Sequence, residues 1–260
     1  MTEASGEYKE VQFEIHEIIW GAGFMSSGGP AAVAAIVDNT EIAGKEVLDI
    51  GCGLGGPGVL LASEHGAASV IGIDIQREQV ERASALAASK RMAGKVSFRL
   101  VEPGPLPFDE AAFDVVFSDG VIVQIPDKRA LFEQIYRVLR VGGSFVAGDF
   151  LTGVDADSSE LISEHRENTG LSFHVETPEQ TQGLLSSIGF RDVNLYNNTE
   201  TLIRLLKEEI RRISANGDLR QRMVEVVGKE SADRPVQSWK RMLAMTERRE
   251  LMDYHIHAVK

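Results

Sequence analysis

A glycine-rich loop preceded by an acidic residue is the strongest chemical signal in the sequence. The segment VLDIGCGLGG covers residues 47–56 and places Asp49 just ahead of the glycines. Gly51, Gly53 and Gly56 satisfy the spacing G-x-G-x-x-G, in which glycine lets the backbone turn tightly and approach a ligand closely. The loop therefore predicts a site for a nucleotide-like ligand.

The charge of Asp49 distinguishes two classes of ligand. A dinucleotide carries an anionic pyrophosphate, which a neutral loop at a helix N-terminus attracts and an acidic residue repels. S-adenosylmethionine has no phosphate and carries a sulfonium and an ammonium group, so an acid at this position favours it. The sequence thus predicts S-adenosylmethionine, and disfavours an NAD-dependent oxidoreductase.

Two further acids follow at the ends of later segments. Asp74 ends the segment ASVIGID, close to the spacing of ~20 residues at which an acid on the second strand binds ribose hydroxyls. Glu102 follows VSFRLV, where it is placed to reach the adenine amino group. The alternatives are a chance acid at a strand end for Asp74 and a solvated loop acid for Glu102.

The elements that position these residues alternate along the chain. Apolar segments predict buried strands, and helical patterns lie between them. The predicted strands are 45–50, 68–74, 96–101, 113–118 and 143–150, and the predicted helices are 56–65, 77–90 and 128–140. This alternation predicts an α/β fold with a mostly parallel sheet and helices on both faces.

The two ends of the chain have different patterns. An amphipathic helix over 7–20, a glycine/serine loop over 21–30 and a short helix from Ala31 to about Asp38 precede the first strand. After residue 150 the predicted elements are a helix over 177–190, a strand over 190–197, helices within 200–250 and a final edge strand over 254–260. This ending predicts a sheet closed by one antiparallel strand.

We expect a single domain over 1–260. Residues 1–40 form N-terminal lid helices, 41–150 the cofactor-binding core, and 151–260 the substrate-side elements and last strands. A chain of 260 residues with 43% hydrophobic residues has enough material for one large core.

Charge and composition limit the partners. The formal net charge of −12 repels phosphate backbones and anionic lipid, so we expect no nucleic-acid or membrane partner. The single cysteine, Cys52, excludes an intramolecular disulfide and fits a cytoplasmic protein. The first residues are polar and acidic, unlike a signal peptide. We expect a monomer or homodimer that acts on a small molecule.

The loop, the acids and the segments FDVVFS (113–118) and LFEQIYRVLRVGGSFVAGDF (131–150) resemble class I S-adenosylmethionine-dependent methyltransferases. The resemblance covers residues ~40–150 and implies a Rossmann-like, seven-stranded sheet whose last strand is antiparallel, with a helical insertion before that strand. It also implies cofactor contacts beyond the three acids, at Gly51, Gly53, Gly55, Ile75, Pro103, Ser118 and Asp119.

A narrower resemblance extends over nearly the whole chain. The segment GAGFMSSGG (21–29), the glycine loop and the tail over 238–260 are similar to single-domain phosphoethanolamine N-methyltransferases. In that family the serine/glycine loop closes over the methionine end of the cofactor, which implies contacts by Ser26 and Ser27. Tyr8 lies where the family has its catalytic tyrosine.

The acceptor side departs from that family. The catalytic histidine that pairs with the tyrosine is replaced by Gln124, and an aspartate nearby by Gly120. The pocket tyrosines and the phosphate-binding lysine are also replaced, by Phe150, Phe173 and either Met242 or Ala244. Because a buried phosphate needs charged or strong hydrogen-bonding partners, these changes predict the family scaffold with a different acceptor.

Methyl transfer from a sulfonium requires mainly positioning of the acceptor and exclusion of water. Tyr8 is predicted to orient the acceptor or take its proton. Gln124 is predicted to orient the acceptor, since an amide is no base near neutral pH. This pair favours an acceptor that needs little deprotonation, such as an amine of modest pKa, a thiol, a thioether or an enolate, and the family resemblance implies an amine nitrogen. The alternatives are an O-, C- or S-methyltransferase of a natural-product pathway, or a protein that binds S-adenosylmethionine and catalyses a rearrangement.

Three further positions carry open alternatives. His174 either borders the acceptor pocket or belongs to a plain loop, and Trp20 either covers the ligands or packs beneath the lid. His255 and His257 share one face of the final strand, without the cysteine or carboxylate pattern of a metal site. We therefore predict no metal.

Overall fold

The structure, a computed structural model, describes residues 10–154, 159–169, 173–215, 217–229 and 232–260. The strands within these ranges are β1 (Glu46–Ile50), β2 (Ser69–Asp74), β3 (Val96–Leu100), β4 (Phe113–Asp119), β5 (Leu139–Leu151), β6 (Arg191–Asn197) and β7 (Met252–Val259). They form one sheet in the order β3-β2-β1-β4-β5-β7-β6. Strands β1 to β5 pair in parallel, and β7 is antiparallel to both of its neighbours. This topology confirms the predicted Rossmann-like sheet.

Ten helices accompany the sheet in the described residues. They are α1 (Glu10–Trp20), α2 (Pro30–Val37), α3 (Gly56–Ser63), α4 (Arg77–Ser89), α5 (Lys128–Val138), α6 (Glu160–Thr169), α7 (Pro178–Ile188), α8 (Thr199–Ser214), α9 (Asp218–Val227) and α10 (Asp233–Glu247). A short 3₁₀ turn, Ile122–Gln124, lies between β4 and α5. Helix α6 was not predicted, because its polar segment ELISEHRENT has few apolar residues to show a helical period.

The central strands are buried on both faces. Val47 and Leu48 are neighbours in β1, yet only 1% and 0% of them are exposed. Leu48 belongs to the apolar cluster under α5 and α7, whereas Val47 belongs to the cluster under α2, α3 and α4. Continuous apolar strands of this kind are typical of parallel sheets covered by helices on both sides.

The final strand lies inside the sheet, so its prediction as an edge strand was wrong. β7 pairs with β5 on one side and β6 on the other, and Ile256 faces both Ala147 and Leu195. The chain returns after the helical insertion and enters the gap between β5 and β6. Local alternation of residue types cannot distinguish this position from an edge, because it does not depend on pairing partners.

The insertion helices and α1 form a helical cap with its own apolar cluster. Ile15 and Ile19 of α1 pack with Leu206 of α8, Met223 of α9 and Val236 of α10. This cluster joins the N-terminal segment to the region just before β7. Within the described part of the chain, no helix has both the length and the apolar character needed to cross a bilayer.

Candidate active site

A cavity of about 810 Å³ lies at the carboxyl edge of the parallel strands. Its walls come from the segments that follow β1, β2, β3 and β4, together with part of α5 and the loop over 21–29. Ligands of open α/β sheets bind at this edge, where strand ends and loops converge. The volume is in the usual range of small-molecule sites.

Two glycines of the loop after β1 have no room for a side chain. Gly51 has a φ of +70°, and a Cβ there would lie 2.2 Å from Cγ2 of Val121. Gly55 has a φ of +84°, and a Cβ there would lie 2.7 Å from atoms of Ala83 and Phe98. Glycine is required at both positions, because L side chains disfavour this backbone region and the space is filled.

Asp74 is held at the end of β2 by backbone donors. The N–H groups of Gly53 and Gln76 donate to its two carboxylate oxygens at 3.1 and 2.9 Å. Burial raises the pKa of Asp74, and these hydrogen bonds oppose the rise. The Gln79 side chain also lies beside it, with its amide nitrogen 2.8 Å from Oδ2 when the amide is oriented toward the carboxylate. Asp74 is thus oriented toward the cavity before any ligand binds.

Asp49 is fully buried and incompletely paired. Its Oδ2 has no hydrogen-bonding partner among the described residues, although the residue is only 1% exposed. Burial, together with the nearby charges of Asp119 and Asp74, raises the pKa of Asp49 to about 8. A buried carboxylate without a partner is costly, so this oxygen marks a place where a cationic or donating ligand group is favoured.

Asp119, at the end of β4, is a further acid that lines the cavity near Asp49 and Asp74. Its pKa is raised to about 7, mainly by burial and also by the charges of Asp253 and Asp149, whereas a hydrogen bond from Ser26 opposes the rise. Asp119 lies on the same sheet face as Asp49, because Asp49 pairs with Phe117 across the two strands. The strand ends therefore bring predicted acids into one electrostatically coupled group.

The described residues that line the cavity include no lysine, arginine or histidine. Their charged members are all acids: Asp49, Asp74, Glu102, Asp119, Asp127 and Glu133. A wall of one sign in a partly enclosed site focuses its field on the ligand. The cavity therefore favours cationic or neutral groups and disfavours anionic ones.

Two buried residues of opposite charge, Asp149 and Lys128, each hydrogen-bond the backbone of the turn that carries Gln124. The carboxylate of Asp149 accepts from the N–H groups of Ile122 at 2.6 Å and Val123 at 3.1 Å. The ammonium of Lys128 donates to the carbonyls of Ile122 at 3.1 Å and Ile125 at 2.9 Å. Gln124 itself lines the cavity, and its amide donates to the carbonyl of Gly120 at 3.4 Å.

The Gly/Ser loop, defined here as residues 21–29, covers one side of the cavity. Met25 and Ser26 line it, and the carbonyl of Gly23 accepts from the N–H of Gly56 at 2.9 Å. Ser27 points elsewhere, since its hydroxyl donates to Glu209 at 3.1 Å. The loop thus contacts the cofactor-binding core at one end and the helical cap at the other.

The structure brings most of the predicted cofactor residues together. Those that line the cavity are Ser26, Asp49, Gly51, Gly53, Asp74, Ile75, Glu102, Pro103 and Asp119, together with the predicted catalytic Gln124. Three lie outside its walls: Ser27 bonds Glu209, Gly55 packs against Ala83, and Ser118 donates to the carbonyl of Ile50 at 3.1 Å. Tyr8 lies outside the described residues.

The four predicted acceptor-side residues are not among the residues that line this cavity. Phe150 and Phe173 pack in an apolar cluster with Val123 and Met242. His174 is exposed, and its backbone N–H donates to Val123 at 2.7 Å. Trp20 stacks on Trp239 with ring centroids 5.3 Å apart. This contact favours the alternative in which Trp20 packs beneath the lid over the one in which it covers the ligands.

Four buried polar residues that support the site were not identified in the sequence. Gln79, Lys128, Asp149 and Glu209 are each buried and polar, with 4% or less exposed. Asp149 and Lys128 had a weak signal, since a charged residue at the end of an apolar strand or at a helix start is often functional. Glu209 had none, because it lies within a highly charged helical segment.

Comparisons with known proteins identify the family of this chain. Residues 42–213 match the family model described as a methyltransferase domain. Phosphoethanolamine N-methyltransferase 1 of Arabidopsis thaliana is 30% identical over 243 residues, 91% of this chain and 47% of its own length. The O-methyltransferase resE of Aspergillus sclerotiorum is 29% identical over 187 residues, 71% of this chain and 69% of its own. The chain spans about half the length of the phosphoethanolamine N-methyltransferases that it matches.

A solved structure shows the same architecture. Phosphoethanolamine N-methyltransferase 2 of Haemonchus contortus, in complex with phosphomonomethylethanolamine and S-adenosylhomocysteine, superposes with a TM-score of 0.88 at 27% identity. The match covers 97% of this chain and 58% of that one. The similarity therefore includes the helical cap as well as the sheet.

Proposed function

The chain belongs to the methyltransferase domain family, and from that premise we propose that it transfers the methyl group of S-adenosylmethionine to an amine nitrogen of a small molecule that lacks a phosphate group. The observation that carries this proposal is the cavity of about 810 Å³ whose described charged side chains are all carboxylates. The class I S-adenosylmethionine-dependent fold accounts for the cofactor, and the lack of a cationic side chain among the described lining residues argues against a phosphate on the acceptor.

The residues present fit this cofactor. The unpaired Oδ2 of Asp49 and the raised pKa of Asp49 and Asp119 indicate a site that gains from a positively charged ligand. S-adenosylmethionine supplies a methyl group on a sulfonium, which is an activated leaving group. Asp74 would accept from the ribose hydroxyls, Glu102 is predicted at the adenine, and Ser26 and Asp119 at the methionine end.

The acceptor differs from that of the phosphoethanolamine relatives because the described residues that line the cavity offer no counter-charge for a phosphate. Met242, which with Ala244 is one of two residues predicted to replace a phosphate-binding lysine, belongs to the same apolar clusters as Phe150. A phosphate moved from water into such surroundings would lose its hydration without a compensating cation. The negative potential of the carboxylates would attract a cationic amine and would not repel an uncharged one.

The proposed reaction is an in-line displacement. The nitrogen lone pair forms the new N–C bond while the C–S bond breaks, and its electron pair stays on sulfur, giving S-adenosylhomocysteine. The proton lost by the nitrogen leaves to water or to a carboxylate of the cavity. Gln124 is predicted to orient the acceptor, and Tyr8 to orient it or take its proton.

Oxygen methylation is the second candidate. It is favoured by the O-methyltransferases among the relatives, such as resE, and by the apolar cluster of Phe150, Phe173 and Val123 beside the Gln124 turn. A hydroxyl acceptor needs more help with deprotonation than an amine of modest pKa. Acceptor screening with matched amines and phenols separates the two.

The deciding experiment measures S-adenosylhomocysteine formation with matched acceptors. We expect turnover with amines that lack a phosphate and little with their phosphorylated counterparts, such as ethanolamine against phosphoethanolamine. Turnover confined to phosphorylated amines would contradict the proposed acceptor class. No product with any acceptor, combined with tight cofactor binding, would favour a non-transferring protein.

Two substitutions test the predicted catalytic pair. Tyr8→Phe and Gln124→Ala are expected to lower turnover with the true acceptor, whereas Tyr196→Phe changes an exposed tyrosine on β6 and serves as the matched control. If both Tyr8→Phe and Gln124→Ala leave turnover unchanged, the assignment of these two residues is wrong.

A further inference from the structure

Four hydrogen-bond donors converge on the carboxylate of Glu209 in α8. The indole N–H groups of Trp20 and Trp239 donate to its two oxygens at 2.7 and 2.8 Å. The hydroxyl of Ser27 and the backbone N–H of Gly28 donate at 3.1 and 3.3 Å. Glu209 is only 4% exposed, so these donors have little competition from water.

The donors come from three separate parts of the chain. Trp20 ends α1, Ser27 and Gly28 belong to the Gly/Ser loop, and Trp239 lies in α10. The carboxylate therefore joins the N-terminal segment to two helices of the cap. These partners are 30 to 189 residues apart in sequence.

The same loop forms a wall of the cofactor cavity. Ser26, next to Ser27, lines the cavity and hydrogen-bonds Asp119. A Cβ added to Gly120 would lie 3.6 Å from the Ser26 hydroxyl. The position of Ser26 over the strand ends is therefore set by residues that Glu209 holds.

We propose that Glu209 is a positioning residue for cofactor binding, which fixes the Gly/Ser loop over the cavity by anchoring it to α8 and α10. The proposal rests on the proposed function only in that the cofactor is S-adenosylmethionine. When the loop is already held closed, the ligand does not spend binding free energy on ordering it. Loss of the anchor lowers the closed fraction and weakens apparent affinity by the same factor.

A carboxylate is specifically suited to this position. It offers about four lone-pair sites for the four donors and no donor of its own. Glutamine has nearly the same shape, but its amide nitrogen is a donor and would face an indole N–H or a hydroxyl. Glu209→Gln therefore leaves part of the set without an acceptor while keeping the volume of the side chain.

The test is the affinity for S-adenosylhomocysteine, measured by calorimetry well below the melting temperature of each variant. We expect Glu209→Gln to bind about tenfold more weakly than wild type. Glu208→Gln is the matched control, because Glu208 is the exposed neighbour that pairs with Arg211. The control is expected to bind as wild type does.

Tryptophan provides a second readout, because Trp20 and Trp239 are the only two in the chain. Both indole N–H resonances in a ¹H–¹⁵N spectrum are expected to shift in Glu209→Gln and to stay in place in Glu208→Gln. Trp239→Phe removes the donor from α10 alone and is expected to weaken binding in the same direction, with a shift of the remaining Trp20 resonance.

The possible outcomes are separable. A lowered melting temperature with unchanged affinity in Glu209→Gln would overturn the proposal, since the residue would then stabilise the fold only. If Glu209→Gln does not fold, unchanged affinity in Trp239→Phe overturns it and weakened affinity supports it. A wild-type protein that does not bind S-adenosylhomocysteine would contradict the proposed function instead.

Discussion

The backbone N–H of Gly53 donates to Oδ2 of Asp74 across 3.1 Å, which joins the glycine loop after β1 to the acid that ends β2. The N–H of Gln76 fixes the other oxygen at 2.9 Å. The carboxylate is therefore oriented by backbone groups of its surroundings, at the edge where the cavity opens. Preorganisation of this kind reduces the free energy that a ligand spends on ordering its site.

Asp74→Ala is expected to weaken S-adenosylhomocysteine binding at least about tenfold, because hydrogen bonds to a charged acceptor contribute more than neutral ones. Calorimetry measures the change directly. Glu78→Ala is the control, since Glu78 is an exposed acid in the first turn of α4. Equal affinity of the Asp74 variant and wild type would show that the ribose is held elsewhere.

Asp49 is expected to make stability depend on pH. The unfolded chain ionises this group near 3.8, whereas the folded protein without ligand holds its proton to about 8 because of burial. The unfolded state thus loses the proton first, so stability falls as pH rises between these values. Asp49→Asn removes this contribution and is expected to melt at a higher temperature than wild type at pH 8, with a smaller difference near pH 4.

The same group is expected to couple proton release to cofactor binding. A cationic ligand favours the ionised form of Asp49, so binding between pH 6 and 8 should release protons, measurable by calorimetry in buffers of different ionisation enthalpy. Asp49→Asn should lose this release, whereas Asp38→Asn, at an exposed position, should keep it. Equal proton release in wild type and Asp49→Asn would refute the assignment.

Lys128→Met is expected to lower the melting temperature by roughly 5–10 °C, because it leaves the carbonyls of Ile122 and Ile125 without this donor and removes a positive charge that favours the ionised form of the buried Asp149. Burial lowers the pKa of Lys128, and the charges of Glu176 and Asp149 oppose this change. Turnover should fall more than affinity for S-adenosylhomocysteine, since the braced turn carries Gln124. The exposed neighbour provides the control, Arg129→Met, which should change neither quantity appreciably.

Gly55→Ala and Gly183→Ala are expected to have opposite effects on stability. Gly55 has a φ of +84° and no space for a Cβ, so alanine there should lower the melting temperature by roughly 5 °C. Gly183 lies on the exposed side of α7 with nothing within 4 Å, so alanine should raise it by about 2 °C through helix propensity. Thermal denaturation monitored by circular dichroism compares them, and a stable Gly55→Ala would contradict the described loop packing.

Much of the cofactor half of the site was predictable because its signals are local. The glycine spacing after β1 and the acids at the ends of β1 and β2 follow one another along the chain, and alternation of strands with helices brings their carboxyl ends to one edge. The sequence therefore predicted both the chemical type and the location of Asp49 and Asp74, which line the cavity. Ser118 and Gly55 were predicted as cofactor contacts but do not line the cavity. The sequence could not show this, because neighbouring residues of one loop or strand face different sides.

The sequence by itself determined the strand alternation, the glycine loop and the sign of charge at its mouth, since each depends on residues close together in the chain. Only the tertiary structure decided that β7 lies between β5 and β6. It also decided that Asp149 and Lys128 hydrogen-bond the turn that carries Gln124, and that Glu209 accepts hydrogen bonds from both tryptophans. The raised pKa of Asp49 also depends on the tertiary structure, because it arises mainly from burial. These properties arise from burial and pairing between distant segments, and no local pattern of residue types specifies which distant segments meet.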